Sequence, residues 1–381
     1  MSGVIEQHNP EPTTSMSRNR LTVVAVSDFL QNPDVKYWFA LLVLIVLLLC
    51  VTIISLGTGA INIDARQVVY ALINALGIDT GTEVNSVQQS VIESIRAPRV
   101  LLAILVGAGL AICGAAMQGL FRNPLADPAL IGVSSGAALA AVTVIVLGST
   151  VLSGYANTLG SYALPLAAFA GGFASTLLVY HFSSFNGRTI VSTMLLAGIA
   201  INVLAGAVTG LRTYIASDEQ LRTLTFWSMG SLGGATWEEL SVAAPLMLAG
   251  IVLIPLQSRA LNAILLGESE AIHLGFHLEW VKKSLITLVA LCVGTAVSIS
   301  GIIGFIGLIT PHLIRLSLGP DHRFLLPLSA LLGATLLLLS DMLARTVVTP
   351  AELPIGIITS LIGGPFFLWL LARQRSRGRS W

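Results

Sequence analysis

Apolar runs long enough to cross a bilayer alternate with short polar breaks through most of this chain. Ten are read, at roughly 37–57, 99–118, 130–152, 161–182, 190–211, 239–257, 280–299, 302–317, 325–344 and 355–372. An α-helix needs about 20 apolar residues to span the ~30 Å hydrocarbon core. The pattern predicts an all-α integral membrane protein with about ten transmembrane helices over residues 37–373. Inside the second run, Gly107, Ala111, Ala115 and Gly119 recur every four residues, a small-residue stripe that lets another helix backbone come close. Pro124 and Pro128 then predict a tight turn from Phe121 to Pro128. Gly132, Gly136 and Ala140 open the next run with a second stripe.

Composition agrees with the pattern. Of 381 residues, 55% are hydrophobic and 10% charged, with a mean hydropathy of +0.86. A soluble domain carries about 25% charged residues. A net charge of +1 argues for neither nucleic acid nor an acidic partner. Cys50, Cys113 and Cys292 fall inside apolar runs and read as buried packing residues. Residues 1–36 are polar and lack an apolar core followed by a small-residue cleavage site. They read as a disordered cytoplasmic tail, and residues 374–381 as a basic cytoplasmic one.

Charge sets the orientation. With the N-terminus inside, fourteen of the twenty lysines and arginines fall on the inner side, as the positive-inside rule requires. An even number of spans with both termini cytoplasmic follows. Residues 58–98 and 212–238 are then outer segments, the first with an amphipathic stretch from Ala65 to Leu76, and 258–279 is the large inner segment.

Enzyme chemistry finds no support. There is no G-x-x-x-x-G-K-[ST] to cradle nucleotide phosphates. No nucleophile–base pair and no metal-ligand spacing appears, so no catalytic or metal residue is assigned. His312, after Pro311, reads as a satisfied structural histidine. His8, His181, His273, His277 and His322 fall in the tail or on the inner side.

Four strings carry a family resemblance: R-x-P-R from Arg96, G-A-x-M-Q from Gly114, R-N-P-L-A-x-P from Arg122, and G-x-x-x-G-A from Gly132. Together they resemble the permease family of bacterial type II ABC importers, which take up ferric siderophores, haem and cobalamin. The resemblance recurs downstream and covers roughly residues 40–373. It implies a homodimeric inner-membrane permease, two separate ATPase subunits that bind ATP and magnesium, and a periplasmic binding protein. The permease itself then holds no covalent cofactor.

The resemblance also implies roles for particular residues. In Arg259 to Phe276, the L-G-E-x-x-A-x-x-L-G string is like the family's coupling helix, with Leu266, Gly267, Glu268, Ala271, Leu274 and Gly275 facing the ATPase. The other reading is an interfacial amphipathic loop. Arg96, Arg99 and Arg345 match arginines that meet glutamates of the binding protein. Arg345 also stands four residues after Asp341, the spacing of an intrahelical pair. Asn123 and Leu125, with Ser192 and Thr193 more loosely, match the cytoplasmic gate. The strings Gly304–Arg315 and Ala351–Leu371 are family-like too, and their prolines and glycines suit either pore-facing helices or packing.

Residues 212–237 carry a further family-like pattern, R-x-x-x-x-W-x-x-G-S-L-x-x-x-x-W. The stretch is expected to re-enter as a short helix along the outer vestibule. Tyr214, Phe226, Trp227 and Met229 offer flat apolar surface, and Arg212 and Arg222 a positive rim. An aromatic belt at the headgroups is the other reading. The wording around Leu221–Leu232 is most similar to haem importers, so haem is the expected cargo, ahead of a ferric siderophore or cobalamin. An ion-gradient carrier would need acidic or histidine residues within its spans, and Asp341 alone qualifies.

Overall fold

The computed structural model describes residues 33–376 except 60, 76 and 78–84. Most of the N-terminal tail, the last five residues of the C-terminal one and Leu76 therefore lie outside the described residues. The chain divides into two compact units, Met1–Val43 and Leu44–Trp381. The described part of the first is helical.

The chain is nearly all helix. Helix α1 is Pro33–Gly57, starting on a proline that suits a first helical turn. It takes in residues 33–36, which the sequence placed in the tail. Then come α2 (Ala65–Ala75), α3 (Ser86–Ser90), a π-helical turn (Val91–Arg96) and α4 (Ala97–Phe121). A 3-10 turn (Pro128–Ile131) leads into α5 (Val133–Leu147), α6 (Ser153–Leu159) and α7 (Ala163–Ser183). Two short antiparallel strands, β1 (Ser184–Phe185) and β2 (Arg188–Thr189), follow. Their two-residue loop is Asn186–Gly187, both at positive φ, as a tight hairpin requires. Next are α8 (Val191–Tyr214), α9 (Asp218–Met229), α10 (Trp237–Leu253), α11 (Ser258–Leu266) and α12 (Glu268–His273). The chain closes with α13 (Leu278–Ser300), α14 (Ile306–Leu318), α15 (His322–Thr346) and α16 (Ile355–Ser376).

Seven helical stretches among the described residues are long and apolar enough to cross a membrane. Three shorter apolar helices, α5, α14 and most of α16, stand where the other three predicted runs lie. Helix α5 stops five residues early, because Gly148 and its polar neighbours turn the chain and the Leu152 N–H closes onto the Leu147 carbonyl at 2.9 Å. Helix α16 continues to Ser376, into the predicted basic tail.

The core of the larger unit is α4. Its small-residue stripe packs on α15, where a methyl group on Gly107 would overlap the Gly333 carbonyl. Off that stripe, Gly114 meets the backbone of Gly307 in α14 just as closely. With no hydrophobic drive between helices in lipid, such backbone approach supplies the packing energy. Cys113 and Cys292 are buried as expected, but Cys50 is exposed on α1. Helix α2 buries Val68 and Ala71, in line with its amphipathic pattern.

Candidate functional site

At one end of the larger unit, α11 and α12 meet at Gly267, whose φ of 134° a side chain would resist. Gly275, at φ 88°, ends the pair. Leu266, Ile272 and Leu274 are exposed, whereas Ala271 is fully buried and holds α12 to the body. The element is thus a short stiff step with an apolar outer face.

The predicted gate residues lie at the same end. Asn123 follows Arg122, which caps α4 in the left-handed region, and its side-chain oxygen accepts the Leu125 N–H at 3.0 Å. Ser192 and Thr193 sit in the first turn of α8. A cleft of about 720 Å³ is lined by Arg122, Ser192, Glu268, Ile272 and Lys282, among others. The fold therefore brings Ser192 and Glu268 to one cleft, while Asn123, Leu125 and Thr193 are not among its lining residues.

Sequence reasoning passed over the centre of this region. Lys282 is only 2% exposed. Its ammonium donates to the Thr189 carbonyl at 2.8 Å and to Glu268 Oε2 at 2.9 Å. It also pairs with Glu279 at 3.6 Å. Glu279 in turn accepts the Thr189 backbone N–H at 2.8 Å. The available signal was the Glu279–Lys282 spacing of three at the start of a helix. Nearby, Asp321 caps α15 and accepts from Asn262 at 2.6 Å and from Arg323. Burial alone would raise its pKa, but these hydrogen bonds outweigh it and hold the carboxyl at about 2.

The three arginines expected to meet the binding protein are largely buried, each held by partners within the chain. Arg99 donates to Asp341 at 2.9 Å and pairs with Glu352 at 2.9 Å. Arg345 pairs with Asp341 at 3.0 Å and donates to Ser55 Oγ at 2.8 Å and the Thr58 carbonyl at 3.1 Å. Arg96 donates to the Leu56 carbonyl at 2.6 Å and to that of Ile61. The cause is local: α1 ends on bare carbonyls, and a buried Asp341 needs cations. The intrahelical Asp341–Arg345 pair is present, with Arg99 added from α4. Glu352, 47% exposed, is the outward member of the network.

The α8–α9 segment stands more open. Arg212 and Tyr214 end α8, and Tyr214 is 87% exposed. A capping box of Ser217 and Gln220 starts α9. Along it, the Arg222 guanidinium lies 5.9 Å from the exposed Phe226 ring. Trp227 is half-buried and Met229 exposed. The end of α9 is tied inward: Ser231 N–H reaches the Ser300 carbonyl at 2.8 Å, and Ile355 N–H the Gly230 carbonyl at 3.1 Å. His312 is buried beside Phe366, and neither ring nitrogen has a hydrogen-bond partner among the described residues. Among the described residues, no cluster of His, Cys, Asp or Glu could hold a metal ion.

The chain is similar to several known proteins. The FecCD transport family matches residues 46–373. The hemin transport system permease protein of Yersinia pestis is 47% identical over 329 residues, 86% of this chain and 95% of that protein. The cobalamin import system permease protein of Halobacterium salinarum is 41% identical over 320 residues, 84% of this chain and 82% of that protein. A solved structure described as an inward-facing metal-chelate type ABC transporter matches with a TM-score of 0.75 at 36% identity, covering 87% of this chain and 98% of that one. With seven or more apolar helices and these relatives, the chain is a multi-pass membrane protein and belongs to the FecCD transport family.

Proposed function

We propose that this chain is the permease subunit of an ATP-driven importer that moves haem from a periplasmic binding protein to the cytoplasm. The likeness to a hemin transport permease over nearly its whole length carries the cargo assignment. Ten helices cross the inner membrane, with both termini cytoplasmic. Two copies form the pathway between them, and lipid surrounds the rest. ATP and magnesium bind on two separate ATPase subunits, which grip the exposed face of α11–α12 at Leu266, Gly267, Glu268, Leu274 and Gly275, with Ala271 beneath.

The binding protein docks at the opposite end. Arg99 is the arginine a partner carboxylate reaches, by exchange with the exposed Glu352, while Arg96 and Arg345 stiffen the helix ends below. Tyr214, Phe226, Trp227 and Met229 meet the flat ring, and Arg212 and Arg222 its two carboxylates. Asn123, Leu125, Ser192 and Thr193 close the inner end.

The test is uptake into liposomes holding the permease, the ATPase and the binding protein. Haem is expected to accumulate with ATP. Replacing Arg212 and Arg222 by Gln is expected to slow uptake more than it alters ATP hydrolysis. Transport of a ferric siderophore or of cobalamin with haem excluded would overturn the haem reading.

A further inference from the structure

We propose that Lys282 is the positioning residue that carries movement of α12 to the first turn of α8, where Ser192 and Thr193 sit. The proposal rests on the reading of α11–α12 as the element gripped by the ATPase.

Three separate pieces of chain converge on one ammonium. Glu268 is the first residue of α12, Glu279 belongs to the first turn of α13, and Thr189 ends the hairpin before α8. Both backbone groups of Thr189 are held, its carbonyl by Lys282 and its N–H by Glu279. One residue, Ile190, separates this clamp from α8. The hairpin is closed beyond it by the Ile190 N–H on the Ser183 carbonyl at 3.0 Å. Displacement at Thr189 therefore reaches α8 without a loop long enough to absorb it.

The space around the clamp makes the route matter. Ile272 of α12 and Ser192 of α8 both line the open cleft, which does not transmit force. The Glu268–Lys282–Thr189 bridge is solid across the same gap. A buried ion pair is weak evidence of stability, because desolvation offsets most of its attraction, and its best-attested use is to fix one geometry. Lys282 fits that use: it sets the distance between a moving element and the gate.

A merely structural lysine and a relay make different predictions, and complexes reconstituted with the ATPase and binding protein separate them. Lys282→Met is expected to assemble and to hydrolyse ATP while haem uptake falls roughly tenfold, a loss within the usual range of coupling between sites. A spin label replacing the exposed His273 of α12 should still shift with nucleotide, and one replacing Ser192 should not. Lys282→Arg, which keeps the charge but not the compact shape of the ammonium, should retain more uptake than Lys282→Met. Glu279→Gln, at a half-buried side chain, gives a milder form of the same uncoupling and decides the matter if Lys282→Met does not assemble. Normal uptake with a normal Ser192 shift in Lys282→Met, or in Glu279→Gln where only that variant assembles, would overturn the relay. The α12 reading fails separately, if Leu274→Glu leaves ATPase recovery unchanged.

Discussion

Helices α4 and α8 are nearly equal in length, 25 and 24 residues, and both are apolar enough to cross a membrane. Every residue of α4 from Val106 to Phe121 is buried, whereas α8 buries Met194, Gly198 and Ala205. Leu196, Ile199, Val203, Leu204 and Leu211 of α8 face outward. Hydropathy decides that both helices enter a membrane, but it does not decide which one becomes the core. That is decided by where small residues meet small residues. Gly107 and Gly114 of α4 touch other backbones, while Gly206 and Gly210 of α8 have open space around them. In this fold α4 is packed on all sides from Val106 onward, and α8 leaves most of its surface open.

The contrast can be broken most sharply at one glycine on each helix. Gly114→Leu has no room beside Gly307 and is expected to abolish recovery of folded protein in detergent. Gly210→Leu should be recovered at the parent's yield by size-exclusion chromatography. Equal losses from both would refute the division into core and open helix.

Charge on the core side comes next in size. Asp341→Ala leaves Arg99 and Arg345 buried without their shared carboxylate, a change that costs about 3–5 kcal/mol in buried pairs. A large drop in the midpoint of thermal unfolding in detergent is expected, and an unchanged midpoint would show that water already reaches the pair. The smallest effect lies at the end of the core helix α15. Asp321→Ala removes an N-cap and should cost about 1 kcal/mol at neutral pH. The folded pKa of Asp321 lies below its unfolded value, so its contribution is complete above about pH 4 and fades as pH falls through about 2. The difference between parent and variant should shrink over that window when unfolding is followed by circular dichroism.

Much of this architecture was legible in the sequence because lipid imposes a simple rule: a polar backbone must be satisfied within its own helix. Apolar runs therefore announce helices, and the predicted 190–211 became Val191–Tyr214. The Gly107 stripe announced a close neighbour, and α15 is that neighbour. The polar partners were less legible. Arg99 meets Asp341 across 242 residues of sequence, and Lys282 meets Thr189 across 93. No local spacing encodes such meetings, so neither the Arg99 pairing nor any role for Lys282 could be read ahead of the fold. The break at α5 was missed for the opposite reason: Val151 and Leu152 prolong the apolar run, while Gly148, Ser149 and Thr150 before them turn the chain.

The separation between Arg99 and Asp341 also sets a timetable for synthesis. A ribosome adds roughly 5–20 residues per second, so the 242 residues between the two impose a wait of roughly 10–50 s. During that interval α4 is already made, and its guanidinium has neither Asp341 nor Glu352 to meet. Arg99 lies in the first turn of α4, so its long side chain can reach the interface while it waits. The final pairing closes only when α15 arrives, and Asp341 then takes Arg99 and Arg345 together. A ribosome stalled before residue 341 would leave the most buried helix of the fold inserted but unpaired, a nascent chain open to quality-control proteases until α15 is complete.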